Sequence, residues 1–456
     1  MSLHDEEMKK RREKREAQRR RQEAERRRLR RRLMLAILLL AAVGVGIWLL
    51  TRNAGVRGVS AASPEQTAPV ETQAPTESEH PLVQDPITTV HLKAAGDLVV
   101  TDDVIQAGVA ANGYDFSKVF QDVVPTLADA DLTVMNFEGN VYGENYGTAT
   151  SCAPPRLLQD LRSAGVDMLQ MANSCVINNG LIGMESTLNA IRDAGMEPLG
   201  AFANEKEFKT SKGYTITDVR GVKIAFVAFT KGMGGRGMPA GKENLVNLLY
   251  TDYATSYQEL DKTRIETILK NVAAEKPDLT VAMVHWGSEY NETISETQEA
   301  LVTILKKQGV DVILGTHPHT FQTIDYDQEA GTLVVYSLGD FFSDAQQGAT
   351  NYSIILDVEI TKDATTGTTK VTGYDYTPIY TVKDTECGGF QKGQRRVVRV
   401  DKTIEAFDKN FLDKVTPASK SAMEYALTRI EERKLTQEQK DELAKQQEEQ
   451  EKQAKG

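Results

Sequence analysis

The sequence predicts an α/β protein, a mixed sheet or two-sheet sandwich covered by helices, preceded by one transmembrane helix. Three observations carry that expectation. From residue 89 onward, short apolar runs alternate with amphipathic stretches, the two periodicities of a layered α/β domain. Six of those runs are followed at once by Asp, Glu, Asn or His. Upstream, residues 33–50 hold 18 residues without a charge, enough to cross a hydrocarbon core.

The chain opens with a basic arm, residues 1–32, holding 15 Lys and Arg against 7 Asp and Glu. That arm is +8 within a chain of net charge −11, so everything after it carries −19. An acidic body repels phosphate backbones, and a nucleic-acid partner is not expected. The basic cluster before the apolar run places the N-terminus in the cytoplasm and the body outside the cell membrane. A cleaved signal peptide is the rival, with Val59-Ser60-Ala61 as its site. That site lies well past the apolar run and the arm before it is long, so a retained anchor is the reading adopted. Residues 51–88 are rich in Ala, Ser, Thr, Pro, Gln and Glu, the composition of an extended spacer.

Strands are expected at 90–95, 132–137, 166–172, 197–200, 279–284 and 310–314. Helices are expected at 115–130, 154–164, 184–194, 257–274 and 296–307. Pro154-Pro155 opens one helix and Gly165 closes it. Residues 215–219 and 222–229 flank Arg220-Gly221 as a hairpin. Strands at 331–337, 354–360 and 369–380 follow without intervening helices. Residues 383–456 form a C-terminal extension, and from 416 onward Glu, Lys, Gln and Ala dominate, a helix running into a solvated tail. Three cysteines, Cys152, Cys175 and Cys387, form no CxxC pair; a 152–387 bridge stays open as an alternative to free thiols.

The strand exits carry the chemistry. They deliver Gly96-Asp97, Asn136-Phe137-Glu138, Asn173-Ser174-Cys175, His285-Trp286-Gly287-Ser288-Glu289, Gly315-Thr316-His317-Pro318-His319 and Gly339-Asp340-Phe341. In an open α/β sheet such ends face one crevice. Three of the six histidines of the chain stand there. Asp97, Glu138, Asn173, His285, His317 and His319 form a donor set suited to one or two divalent ions such as Mn, Zn or Fe. Each piece alone is weak: Gly-Asp is commonly a turn, and a lone His285 could be a structural imidazole. The loop from Lys231 to Lys242 is Gly-rich but is no P-loop, because Arg236 stands where a Gly is required and Glu243 follows Lys242. Arg236 and Lys242 are candidate contacts to an anionic substrate; a plain flexible loop is the alternative.

The ordered set Gly96-Asp97, Asn136-x-Glu138, Ala172-Asn173 with Gly180, His285-Trp-Gly-x-Glu289-Tyr290, Gly315-x-His317-Pro-His319 and Tyr336-Ser-Leu-Gly-x-Phe341 resembles the CapA family of poly-γ-glutamate capsule biosynthesis proteins. The resemblance covers about residues 89–382. It implies a four-layer α/β sandwich of calcineurin-like metallophosphoesterase type, with Asp97, Glu138, Asn173, His285, His317 and His319 on metal-ligand-like positions. It further implies a membrane-anchored role in synthesis or export of an anionic polymer such as poly-γ-glutamate, alongside other capsule-synthesis membrane subunits.

The departures bear on catalysis. Family members read Ala-Asn-Asn-His-x-x-Asp-x-Gly where this chain has Ala172-Asn-Ser-Cys175-Val-Ile-Asn178-Asn-Gly180. Cys175 thus stands at the general-acid His, Asn178 at its orienting Asp, and Asp340 at the usual Asn of Gly-Asn-Phe. A thiol there could act as nucleophile or soft ligand, or simply be a small buried residue. Loss of the His–Asp pair removes proton transfer worth on the order of 10²–10⁴ in rate. The expectation is therefore divided between a metal-dependent phosphoesterase-like enzyme and a non-catalytic polymer-binding or scaffold subunit. A phosphoesterase for small esters is disfavoured by the missing proton donor.

Overall fold

Two mixed β-sheets carry the architecture. The computed structural model describes residues 86–400, 411 and 413–433. The expected basic arm, the apolar run at 33–50, residues 51–85 of the linker and the tail after 433 lie outside the described residues. Among the described residues no helix is long and apolar enough to cross a membrane.

In chain order come β1 (Ile87–Val99), α1 (Asp102–Ala107), β2 (Val109–Ala110), β3 (Gly113–Tyr114), α2 (Ser117–Phe120), α3 (Val124–Leu127), β4 (Leu132–Glu138), α4 (Pro155–Ala164), β5 (Met168–Gln170), α5 (Gly180–Asp193), β6 (Glu197–Leu199) and α6 (Glu205–Ser211). Then follow β7 (Thr215–Val219), β8 (Val222–Thr230), α7 (Lys262–Ala274), β9 (Leu279–His285), α8 (Glu296–Lys307), β10 (Val312–Thr316), β11 (Ile324–Asp327), β12 (Thr332–Val335), β13 (Asp340–Phe342), β14 (Tyr352–Asp363), β15 (Thr368–Lys383), β16 (Arg395–Arg399) and α9 (Pro417–Glu432). One sheet is ordered β16-β15-β14-β1-β4-β5-β6, with β13 on β1; the other is ordered β11-β12-β10-β9-β8-β7. β1, β4, β5 and β6 run parallel, as do β8, β9, β10 and β12.

Alternation along β8 shows how the layers meet. Val222, Ile224, Phe226 and Ala228 join the hydrophobic cluster shared with the first sheet. Ala225, Val227 and Phe229 turn instead toward Ile265, Ile268 and Leu269 of α7 and Leu301 and Leu305 of α8. A parallel strand covered on both faces reads as a continuous apolar run for that reason. Local chemistry sets the ends. Ser295 and Gln298 form a capping box at the start of α8. Gly165, at φ 110°, closes α4. Arg220 and Gly221, both at positive φ, make the β7–β8 turn.

Several expectations need correction. The single helix expected at 115–130 is two short pieces, α2 and α3, with Pro125 at the start of the second. A proline lacks the N–H that would continue the preceding turn, so the helix restarts there. α7 begins at Lys262 rather than 257, because Asp261 caps it through the Arg264 N–H. β1 does not stop at Ala95 but passes through an irregularity at Gly96 and continues to Val99. After residue 382 the chain stays with the body: β16 pairs with β15, and α9 packs on β14 and β15. Cys152 and Cys387 are buried and free, with no 152–387 bridge.

Gly96 is required by its neighbour. The Asp97 N–H donates to Gly339 O at 2.9 Å, and a Cβ on residue 96 would meet that same oxygen at 1.8 Å. Backbone atoms cannot yield as a side chain does. Gly96→Ala is expected to destabilise the fold by about 3 kcal/mol or more, read as a lowered urea midpoint with unchanged m-value; an unchanged midpoint would mean that β13 can shift away.

Candidate metal centre

The parallel strands of both sheets point their carboxyl ends at one place, as the crevice rule for open sheets requires. β1 supplies Asp97 and β4 supplies Asn136 and Glu138; the turn after β5 supplies Asn173 and Ser174. β9 ends on His285, and the turn after β10 carries His317 and His319. β13 brings Asp340 into register with Asp97 on the neighbouring strand. All of these except Ser174 are buried.

Asp97 is the hub. Its Oδ1 accepts from Asn136 Nδ2 at 2.7 Å, and its Oδ2 accepts from the His317 backbone N–H at 3.1 Å and lies 3.2 Å from His319 Nδ1. His319 Nδ1 also meets Asp340 Oδ1 at 2.8 Å. Glu138 accepts from Ser174 Oγ at 2.6 Å and from Asn136 Nδ2 at 3.3 Å. His285 Nε2 accepts the Ser174 N–H at 3.2 Å, which leaves Nδ1 to donate toward Thr316 Oγ1 at 3.2 Å. The His285 and His317 rings lie 4.5 Å apart, centroid to centroid, and those of His317 and His319 lie 5.9 Å apart. His317 and His319 both hold left-handed backbone, φ 92° and 59°. Non-glycine residues adopt that region at a cost, and such strain gathers at functional sites.

Protons do the work of charge balance here. Burial pushes the Glu138 carboxyl up to about 8, with Asp97 adding to the rise against the His319 cation. Burial likewise lifts Asp340 to about 6. Burial opposes the His319 cation, but the Asp340, Asp97 and Glu138 carboxylates overcome it and hold the ring well above 6.5. For His285 and His317 burial is joined by the neighbouring His319 and Lys231 cations, and both rings are held well below 6.5 in the neutral form.

Three groups of donor atoms each lie within 4.8 Å of one another: Asp97, Glu138 and His285; Asp97, His319 and Asp340; Glu289, His317 and His319. His317 Nδ1 is buried without a hydrogen-bond partner, which buried polar atoms rarely tolerate. An orphaned imidazole nitrogen on a residue grouped with Glu289 and His319 fits a divalent ion of the nitrogen–oxygen-ligated kind.

The sequence-chosen residues fare differently. Asp97, Glu138, His285, His317 and His319 are brought together. Asn173 reaches the same place, but its Nδ2 donates to Asn136 Oδ1 and Phe137 O, and its Oδ1 accepts the Cys175 N–H at 3.0 Å; here it braces the turn. Cys175 touches Ser174 Oγ at 3.6 Å, and burial together with Glu138 pushes its thiol up to about 12. The nucleophile reading is corrected: a thiol so placed stays protonated. Asn178 donates to Ser151 Oγ at 2.9 Å. Lys242 is drawn aside by Glu205, 3.8 Å away, and Arg236 is exposed. Neither lines the cavity beside the histidines.

That cavity, about 240 Å³, is lined by Ser174, Lys231, Gly232, Gly234, Tyr257, Ser288, Glu289 and His317. Larger cavities of about 410 and 470 Å³ lie elsewhere and contain none of the clustered carboxylates or histidines, so size alone would mislead. Sequence reasoning missed Lys231 and Asp340. Lys231 follows β8 directly and its N–H bonds His285 O at 2.8 Å, so its position at a strand exit was the available signal. Asp340 was visible at its exit but was counted only as a departure from the family pattern.

Fold and site together define a mixed α/β protein with a buried carboxylate–histidine centre at converging strand ends. The chain belongs to the family of the bacterial capsule synthesis protein PGA_cap, whose model matches residues 91–345. It is 29% identical to the capsule biosynthesis protein CapA of Bacillus anthracis over 267 residues, 56% of this chain and 60% of that protein. It is 29% identical to the PGA biosynthesis protein CapA of Bacillus subtilis (strain 168) over 278 residues, 59% of this chain and 68% of that protein. Among solved structures it is similar to the calcineurin-like phosphoesterase YfkN from Bacillus subtilis, at 13% identity and a TM-score of 0.40, covering 75% of this chain and 99% of that one. The family expected from the sequence motifs is thus met.

The proton balance makes a test. An acid held above its ordinary 4.5 binds its proton more tightly when folded, so Glu138 withdraws stability as pH rises toward about 8. His319, raised above 6.5, works in the same direction beyond 6.5, whereas the lowered His285 and His317 act only below it. The urea midpoint of chelator-treated protein is expected to fall between pH 6.5 and 8, and Glu138→Gln is expected to flatten that fall. An equally steep profile in the variant would place the linkage elsewhere.

Proposed function

We propose that this protein is a membrane-anchored component of capsule-type poly-γ-glutamate synthesis or export, with a divalent-metal site in a four-layer sandwich of calcineurin-like phosphoesterase type. One observation carries the metal: a buried, partnerless imidazole nitrogen on His317, a residue whose ring lies 4.5 Å from that of His285 and 5.9 Å from that of His319 and which shares a donor group with Glu289 and His319. Asp97, Glu138, His317, His319 and Asp340 would hold it, joined by His285 once its Nε2 exchanges the Ser174 N–H for the ion, with Asn173 bracing the turn. Such an ion supplies Lewis acidity toward a phosphate or acyl-phosphate oxygen. The residues of the chain do the rest: Asn136 fixes Asp97 and Glu138 relative to each other, and Ser174 fixes Glu138 and His285. Family membership supports the polymer, and the uncharged run at 33–50 behind a basic arm supports an extracytoplasmic body with a cytoplasmic N-terminus. Other membrane subunits of the same assembly are the expected partners.

A second reading has its own support. Cys175, with its thiol pushed up to about 12, cannot replace an imidazole in proton transfer near neutral pH. This favours a subunit that binds polymer through the metal site without turning it over.

Metal analysis of the purified full-length protein, with a phosphodiester assay, separates the two. Bound metal is expected, with His317→Ala lowering metal affinity by at least about 100-fold; metal-free protein would remove the centre from both readings. Turnover abolished by His317→Ala identifies the enzyme, and metal without turnover identifies the binding subunit. Cys175→His is expected to raise hydrolysis by on the order of 10²-fold or more if the missing imidazole is what silences the site; no gain would locate the block elsewhere.

A further inference from the structure

Two opposite charges face the cavity beside the histidines without closing on each other. Lys231 spends one N–H on Gly287 O at 2.7 Å and lies over the Tyr257 ring, 4.9 Å from its centroid. Those two contacts hold the ammonium in place and leave two of its three donors unused. Glu289 is exposed at the exit of the neighbouring strand β9, and it is near enough to favour the Lys231 cation electrostatically. Among the described residues neither side chain closes an ion pair, with the other or elsewhere. A wholly anionic ligand would meet Lys231 well but would meet Glu289 as a like charge.

We propose that this cavity takes a zwitterionic α-amino-acid end group, the amino-terminal residue of a γ-linked glutamyl chain, with Lys231 on its α-carboxylate and Glu289 on its α-ammonium. The inference rests on the polymer reading and narrows it. In a γ-linked chain every internal residue keeps its α-carboxylate, but its nitrogen is an amide. The carboxyl-terminal residue carries two carboxylates. Only the amino-terminal residue bears both charges on one carbon, so only it matches a cavity with a cation and an anion left open. Ser174 and Ser288 add hydroxyls to the wall, and His317 lies at the back, where the γ-carbonyl of that residue would point toward the carboxylate–histidine centre. Selectivity for one end also suits an acidic body, which would repel a polyanion along its length, since a single terminus is gripped.

Calorimetric titration of the full-length chain with γ-glutamyl-glutamate and with its N-acetylated form tests this. The free peptide is expected to bind about tenfold or more tightly than the acetylated one. Lys231→Gln is expected to weaken both by about tenfold, and Glu289→Gln to abolish the difference, with metal content read by plasma mass spectrometry because Glu289 also shares a donor group with His317 and His319. Equal affinity of the wild type for both peptides overturns end recognition but leaves the polymer reading standing. If neither peptide binds, both readings fall together. Loss of metal in Glu289→Gln overturns the assignment by making Glu289 a ligand.

Discussion

Three carboxylates buried side by side are the constraint on which this structure depends. Asp97, Glu138 and Asp340 sit in a nearly water-free place, where an unpaired ion costs several kcal/mol. No single neighbour neutralises them. The chain answers with a distributed solution: the His319 cation between Asp97 and Asp340, a proton held on Glu138 into the neutral range, and amide donors from Asn136. A divalent cation would do the same work with fewer protons, and its binding would couple stability to pH. Everything else in the site serves to hold like charges where they would not otherwise stay.

The backbone carries the burden of that arrangement. Gly96 lets the Gly339 carbonyl approach β1 so closely that Asp340 of β13 lies in register with Asp97. His317 and His319 accept left-handed conformations to turn both rings into the crevice around Pro318. Local rules are violated at this point and kept elsewhere: α8 has its capping box, α4 its proline and glycine, and the β7–β8 turn its positive φ. Left-handed non-glycine backbone also occurs at turns such as Arg220, but two such histidines flanking one proline inside a carboxylate cluster are the pattern of a site that function shapes.

How much of this could be read from the residues depended on whether the cause was local. Strand and helix periodicity, helix stops and the hairpin turn are short-range effects, and they located most elements to within a few residues. The helix expected at 115–130 failed because amphipathic spacing outvoted Pro125, although a proline in that position breaks a helix whatever the pattern. The polar strand exits were legible because parallel strands share one carboxyl edge, which let Asp97, Glu138 and the three histidines be grouped from far apart in the chain. What sequence could not give was partnership. Lys242 looked like an anion contact until Glu205 drew it away, and Lys231 looked like the start of a loop until its neighbours Gly287 and Tyr257 aimed it. Asp340 was hidden by comparison with a pattern: treated as a departure, it was not treated as a donor.

That last residue changes how the family departures fit together. Replacing an Asn by Asp340 adds a carboxylate to a place already crowded with them, while replacing an imidazole by Cys175 removes a group that could carry a proton. Both changes move in one direction, toward stronger holding of a cation and weaker proton transfer. The thiol is pushed up to about 12, so it neither donates charge to the centre nor relays protons through it. A carboxylate, by contrast, strengthens its grip on a cation as it sheds its proton, and Asp340 with its carboxyl near 6 does so within the physiological range. The two substitutions are then coherent rather than two separate losses: in the proposed metal centre, each would favour holding a cation over moving a proton.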